Sequence, residues 1–248
     1  MFVCPKCHGE LIKMQDYCVC TICNKHYDLE DDIPIFLHGI HSTQTRLLYK
    51  RVNTIFNSCK FSRLIRFMNM GYVSDEKENN NIPFIRNQMV NRNSFYLLYN
   101  LFGDFSFNRK IVVDFGCGRG GTLFYLKHLY DEVKLYGVDI DITGLKNISS
   151  NCSVAVVDCS RDLPFRDSSI DVAIFVEVFH AIKKKRKLLE NVTKIFKVGG
   201  YIFFADMLDV KQWVKLRTFF MTNRLCIERE DDVTRNVICS CQEISANR

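Results

Sequence analysis

The chain has 248 residues, 47% of them hydrophobic and 25% charged, with a formal net charge of +6. That apolar share is enough to bury a core, which excludes a disordered chain. The modest positive balance also lacks the dense, clustered excess of a dedicated nucleic-acid binder. No apolar run reaches the roughly 18–20 residues of a spanning helix, and the opening MFVCPKCHGE lacks the charged, apolar and small-residue order of an export signal. A cytoplasmic protein is expected, and its twelve cysteines then point to thiols or metal ligands rather than disulfides.

Residues 1–38 carry the cysteines with metal-type spacing. CPKC and CTIC place Cys4, Cys7, Cys20 and Cys23 as two C-x-x-C pairs with twelve residues between them. Each pair suits a tight knuckle presenting two thiolates, and two knuckles complete a closed tetrahedral Zn2+ site. His8, His26 and Cys18 are alternative donors, but none improves on the second pair. A closed site has no position for water, so its role is structural, and metal supplies folding energy that so short a unit cannot obtain from burial. DDIPIFL follows, with Pro34 and its apolar neighbours predicting a short edge strand. Cys59, Cys152, Cys226, Cys239 and Cys241 show no such spacing and are expected to pack as small apolar residues.

Residues 39–107 are expected to form a helical connector and substrate lid. Apolar residues recur at helical spacing through 39–70, a polar loop is expected at 71–83, and a second helix at about 86–102. From residue 108 to 248 the rhythm changes. The runs IVVDF, LYGVD, VAVVD, VAIFVE and YIFFAD alternate with segments suited to helices. Continuous apolar strands of this kind belong to a mostly parallel sheet covered on both faces, a doubly wound α/β domain whose ligand sits at the carboxyl ends of its strands.

The first of those ends reads VVDFGCGRGG, and Gly116-x-Gly118-x-x-Gly121 also satisfies a dinucleotide fingerprint. Asp114, two residues before the first glycine, decides against it: a carboxylate there repels a pyrophosphate and favours a cation. Asp139, ending the next strand, suits ribose hydroxyls, and Asp158, ending the third, suits an adenine amino group. Three acids at successive strand ends fit the ammonium and sulfonium of S-adenosylmethionine. Gly116, Gly118 and Gly120 provide backbone room for its methionine part. Cys117, Ile140, Cys159 and Glu177 complete the expected cofactor-binding set. A nicotinamide-dependent oxidoreductase is the runner-up at this point.

The segment DCSRDLPFRDSSIDVAIFVEVFHAI, followed by IFKVGGYIFFADM, resembles class I S-adenosylmethionine-dependent methyltransferases of the type 11 group. Met68-Asn69-Met70-Gly71-Tyr72, Asn91-Arg92-Asn93-Ser94 to Leu98-Tyr99, and Asp232-Val233-Thr234-Arg235-Asn236-Val237 extend the similarity to O-methyltransferases of phthiotriol and glycopeptidolipid type. The N-terminal unit resembles the small activator subunit of tRNA and protein methyltransferases. The resemblance implies a Rossmann-like methyltransferase fold with methyl transfer to the hydroxyl of a small-molecule, sugar or lipid-linked substrate. It puts His180, in VEVFH, at the transferred methyl as general base, with Tyr72, Asn91, Arg92 and Tyr99 in a lid. An RNA methyltransferase and a non-catalytic cofactor-binding or activator module with a protein partner are the alternatives. For the first, FVEVFH lacks the NPPY-like segment of base-amino methyltransferases. The family's closing antiparallel strand normally lies well beyond the Asp232–Val237 segment. Either a shortened sheet closes with residues 224–241, or that strand is missing. The run Lys183–Lys187 predicts either the solvated start of a surface helix or a docking patch for phosphate or an anionic membrane surface.

Overall fold

A computed structural model describes residues 2–37, 98–99, 101–146, 148, 152–223, 225–233 and 236–243. The helices expected across 39–97, the loop at 71–83, and Cys59, Tyr72, Asn91 and Arg92 lie outside these residues, as do the side chains of Cys239 and Cys241. Residues 1–37 and 101–248 form one unit, and 38–100 another. In the second unit Leu98 and Tyr99 are helical, the first buried and the second exposed.

The larger unit is built on a seven-stranded sheet of order β10-β11-β9-β8-β5-β6-β7. Strands β5 (Ile111–Phe115), β6 (Lys134–Asp139), β7 (Ser153–Val156), β8 (Ile170–Val176) and β9 (Phe196–Met207) are parallel. Helices α1 (Gly121–Leu129), α2 (Ile142–Lys146) and α3 (Lys185–Ile195) join them, and α4 (Val210–Thr222) leads to the last two strands. The strands read as unbroken apolar runs because both faces are covered: Val112, Val113, Phe115, Val172, Ala173, Ile174 and Phe175 are all fully buried. Phe115 and Phe175 stack across neighbouring strands with centroids 4.9 Å apart, which ties the centre of the sheet together by more than area alone.

An antiparallel hairpin completes one side of the sheet. β10 (Leu225–Val233) and β11 (Asn236–Glu243) form a hairpin, and β11 inserts antiparallel between β9 and β10, from Asn236 opposite Met207 to Gln242 opposite Tyr201. Of the two outcomes expected for this end of the sheet, antiparallel strands within these residues are the one found. The order reverses on either side of β5, so the loop after β5 opens at the topological switch point, where such sheets bind ligands.

The N-terminal ribbon has its own four-stranded antiparallel sheet, β1 (Leu11–Lys13), β2 (Tyr17–Cys20), β3 (His26–Glu30) and β4 (Ile33–Pro34). It leans on the far edge of the large sheet. Ile35 bridges Val156 in parallel, the Phe36 amide donates to the Val156 carbonyl at 2.9 Å, and the Val3 amide to Pro164 at 3.0 Å. The Phe2 ring meets Tyr136 and Phe165 at centroid distances of 5.6 and 5.5 Å. Lys146 pairs with Glu30 and Asp31. A small unit with little core thus shares that of its neighbour, and it covers an otherwise open strand edge.

Candidate active site

The turn after β5 is shaped by three left-handed glycines, Gly116, Gly118 and Gly120, with φ of 73°, 53° and 80°. They differ in what surrounds them. A Cβ at Gly116 would lie 2.0 Å from Val178 Cγ2, whereas a Cβ at Gly118 would meet nothing within 4 Å. Gly116 is therefore needed for packing against the segment that carries His180, and Gly118 borders open space. The Cys117 amide donates to the Val138 carbonyl at 3.2 Å, its carbonyl accepts from Gly120 at 2.8 Å, and its thiol is buried. Its contribution is the shape of the turn.

Acids gather around this turn. Asp114 is 2% exposed, and burial, then the neighbouring Asp139 carboxyl, push it up to about 8, opposed by a hydrogen bond from Thr122. Asp139, at the end of β6, accepts from the Gly118 amide through Oδ2 and from the Asp141 amide through Oδ1, both at 2.8 Å. Burial raises it, and those two amides resist the rise. Ile140, the next residue, turns a large apolar side chain outward at 44% exposure. Asp158 accepts from the Ser160 amide at 2.8 Å and from Arg161 Nε at 3.2 Å. Burial, then the Asp139 and Asp158 charges, push the Cys159 thiol far above the ordinary range, so it stays neutral and buried beside the end of β7.

A second cluster follows β8 and β9. The chain leaves β8 through Glu177, whose φ of 51° is left-handed, and whose amide donates to the Ala205 carbonyl at 2.8 Å. That anchored bend projects a short 3-10 turn, Phe179–Ala181. His180 Nδ1 lies 2.7 Å from Asp206 Oδ1, and the His180 amide donates to Asp206 Oδ2 at 3.0 Å. The Asp206 side chain is 1% exposed and that of His180 37%. A carboxylate accepting at both oxygens makes Nδ1 the donor, which leaves Nε2 of the neutral ring as an acceptor. The Asp206 hydrogen bond raises the His180 pKa against partial burial, with further help from the Asp206 and Glu177 charges. Glu177 is itself raised, first by desolvation and then by Asp206. Lys185 Nζ caps the turn from below, donating to the carbonyls of His180 at 3.1 Å and Ile182 at 2.7 Å.

The four ribbon cysteines also come together. Their sulfurs all lie within 4.8 Å of one another, close to the ~3.8 Å sulfur separations of a tetrahedral thiolate site. Both knuckles turn through a left-handed residue directly after the second cysteine, His8 with φ of 58° and Asn24 with φ of 52°. The Ile22 amide points at Cys20 Sγ at 3.4 Å, and the Tyr27 hydroxyl lies 3.0 Å from Cys4 Sγ. Burial opposes ionisation of Cys20, but the Cys23 and Ile22 amides and the Cys7 thiol outweigh it and bring it down to about 6. Four soft sulfur donors in this arrangement can hold a metal ion.

The expected site residues thus fall into three places. Asp114, Gly116, Cys117, Gly118, Gly120, Asp139, Ile140, Asp158 and Cys159 surround the turns after β5, β6 and β7. Glu177 and His180 lie beside them, after β8, and the four cysteines stand apart in the ribbon. Asp206 was missed. Its signal was present, since YIFFAD ends in an acid as the earlier strands do, but which histidine that acid meets depends on β9 lying next to β8. Among the other cysteines, Cys226 is exposed rather than packed.

Residues 113–204 match the family model described as a methyltransferase domain. The chain is similar to the fatty-acid O-methyltransferase of Mycolicibacterium smegmatis, at 27% identity over 154 residues, covering 59% of this chain and 56% of that protein. It is 28% identical over 147 residues to the phthiotriol/phenolphthiotriol dimycocerosates methyltransferase of Mycobacterium tuberculosis, covering 58% and 54%. The chain therefore spans about half the length of these curated relatives. Among solved structures, it superposes on a chain of the Haloferax volcanii Trm112 methyltransferase activator complex with TM-score 0.53 at 18% identity, covering 59% of this chain and 88% of that one. The PH0226 protein of Pyrococcus horikoshii gives 0.53 at 17%, covering 61% and 90%. With strand order and glycine turn in agreement, the chain carries the Rossmann-like fold of its methyltransferase neighbours, and residues 113–204 match the methyltransferase-domain model.

Proposed function

We propose that this protein transfers the methyl group of S-adenosylmethionine to a hydroxyl of a small or lipid-linked metabolite. The observation that carries the reading is the His180–Asp206 pair standing beside the glycine turn. The cofactor, when bound, supplies a methyl activated on a sulfonium. Asp114 faces its ammonium, with Gly116, Cys117, Gly118 and Gly120 shaping the cradle. Asp139 takes the ribose hydroxyls, Ile140 covers an adenine face, and Asp158 with Cys159 borders its edge. Open space at Gly118 and the outward Ile140 side chain fit such a ligand.

His180 Nε2 accepts the hydroxyl proton of the acceptor. Asp206 holds Nδ1–H, which fixes the ring and favours the imidazolium that forms. Glu177 adds negative charge at the rim and further favours a proton on His180. Methyl transfer gains most from alignment of acceptor oxygen and methyl carbon, and both clusters sit on strand ends of one rigid sheet. The ribbon thiolates hold Zn2+ in a structural role. The curated relatives are named for O-methyl transfer or for lipid methylation, which supports a lipid-type acceptor.

The test is incubation with methyl-labelled cofactor and fractionated extract, followed by location of the label. An O-methyl ether or ester in the lipid or small-molecule fraction is the expected result. Label in bulk RNA would assign an RNA methyltransferase. Cofactor binding without turnover, together with a co-purifying partner chain, would assign an activator module.

A further inference from the structure

Helix α4 presents an apolar stripe to solvent. Val210, Val214 and Met221 are 78%, 54% and 68% exposed, and their i, i+4, i+11 spacing puts them on one line along the helix. Single exposed apolar residues are ordinary; three in register on one short helix form a surface. The charges on α4 are all positive: Lys211, Lys215 and Arg217. The nearest acid in sequence is the N-cap Asp209, whose carboxylate is held by the Gln212 amide at 2.7 Å.

A groove of about 600 Å³ separates this helix from α3, with Phe179, Leu189, Leu216 and Phe219 among its apolar lining. On its other side Lys183, Lys184 and Arg186 are exposed. Glu190, the acid lining the groove, is tied to Arg186 at 2.8 Å. Lys183, Lys184, Lys211 and Lys215 have no acidic partner among the described residues. The first turn of α3 contains no acid at all, so its cations sit where the helix dipole disfavours them.

We propose that the exposed face of α4 that carries Val210, Val214, Lys211 and Lys215 docks on an anionic lipid bilayer, with the cations at the start of α3 adding to the attraction. The lysines reach the headgroup charges, and the stripe of Val210, Val214 and Met221 enters the boundary between headgroups and acyl chains. A nucleic acid would use the cations but not the stripe, which offers no aromatic ring for a base to stack on. Both helices follow strands that end at the His180–Asp206 pair, so docking brings the rim of that site to the membrane surface. The inference concerns binding alone and stands whatever the acceptor proves to be.

The experiment is flotation of the full chain with phosphatidylcholine vesicles, with and without phosphatidylglycerol, over a range of salt. Binding to the anionic vesicles only, weakening as salt rises, is expected. Lys211→Gln and Lys215→Gln should each lower partitioning about fivefold, and together roughly twenty-five-fold. Val210→Ser with Val214→Ser should lower it at least about tenfold. These side chains are exposed, so the thermal midpoint and cofactor affinity should stay unchanged in every variant. Failure to bind either vesicle overturns the proposal. So does anionic binding that ignores the valine pair and is matched by bulk RNA, which would assign the face to a polyanion instead.

Discussion

Alanine at Gly116 and alanine at Gly118 should have opposite consequences, although the two glycines lie two residues apart with similar backbone angles. Both positions are left-handed, so each alanine costs about 1–2 kcal/mol of stability from Cβ crowding against its own backbone. At Gly118 that is the whole cost, because the added methyl meets nothing within 4 Å. At Gly116 the methyl would stand 2.0 Å from Val178 Cγ2 and 2.6 Å from Val178 Cβ. Val178 must then move by more than an ångström, an overpacking cost of roughly 1–3 kcal/mol. Urea unfolding followed by circular dichroism should place Gly116→Ala about 2–5 kcal/mol below the parent and Gly118→Ala about 1–2 kcal/mol below it. Calorimetry with S-adenosylhomocysteine should show the reverse order of severity, with the better-folded Gly118→Ala losing the most affinity. Adding Val178→Ala to Gly116→Ala should restore much of the extra stability loss. Equal unfolding midpoints for the two single variants would refute the packing argument, and undiminished affinity in Gly118→Ala would refute the cradle.

The His180 pair predicts a pH signature. His180 must be neutral to accept a proton and its pKa is raised, so turnover should climb with pH through a value above the ordinary 6.5 for histidine. Asp206→Asn should lower kcat by roughly 100-fold or more and move that acid limb to lower pH, whereas a purely structural Asp206 would leave the limb in place. Asp114, held up to about 8, is largely protonated in the free protein at neutral pH, and an ammonium beside it favours the charged form. Cofactor binding between about pH 6 and 8 should therefore release a proton and tighten as pH rises, seen by calorimetry in buffers of different ionisation enthalpy; Asp114→Asn should abolish the release. Metal analysis should find about one zinc per chain, lost when Cys4 and Cys7 are both replaced by serine. Because Phe36 and Val3 brace the segment from Val156 to Pro164 that carries Asp158, chelation should also weaken cofactor binding several-fold while the helical circular dichroism signal persists.

What the sequence determined by itself is local. Whether a strand is covered on both faces is written in its own residues, so IVVDF and VAIFVE declare a parallel sheet without reference to anything distant. Two C-x-x-C knuckles and a glycine turn after a strand are likewise matters of a few consecutive dihedrals and spacings. Pairings across the sheet are decided elsewhere, because they depend on which loops close and in what order the strands assemble. The partner of His180 is Asp206, 26 residues away, and it meets the histidine because β9 lies beside β8. The last strand, β11, lies between β9 and β10 rather than at the edge, an order that no periodicity announces. The ribbon's seat on the Val156 edge and the contrast between Gly116 and Gly118 have the same origin. Each is set by atoms far along the chain, and only the packed structure brings those atoms within contact.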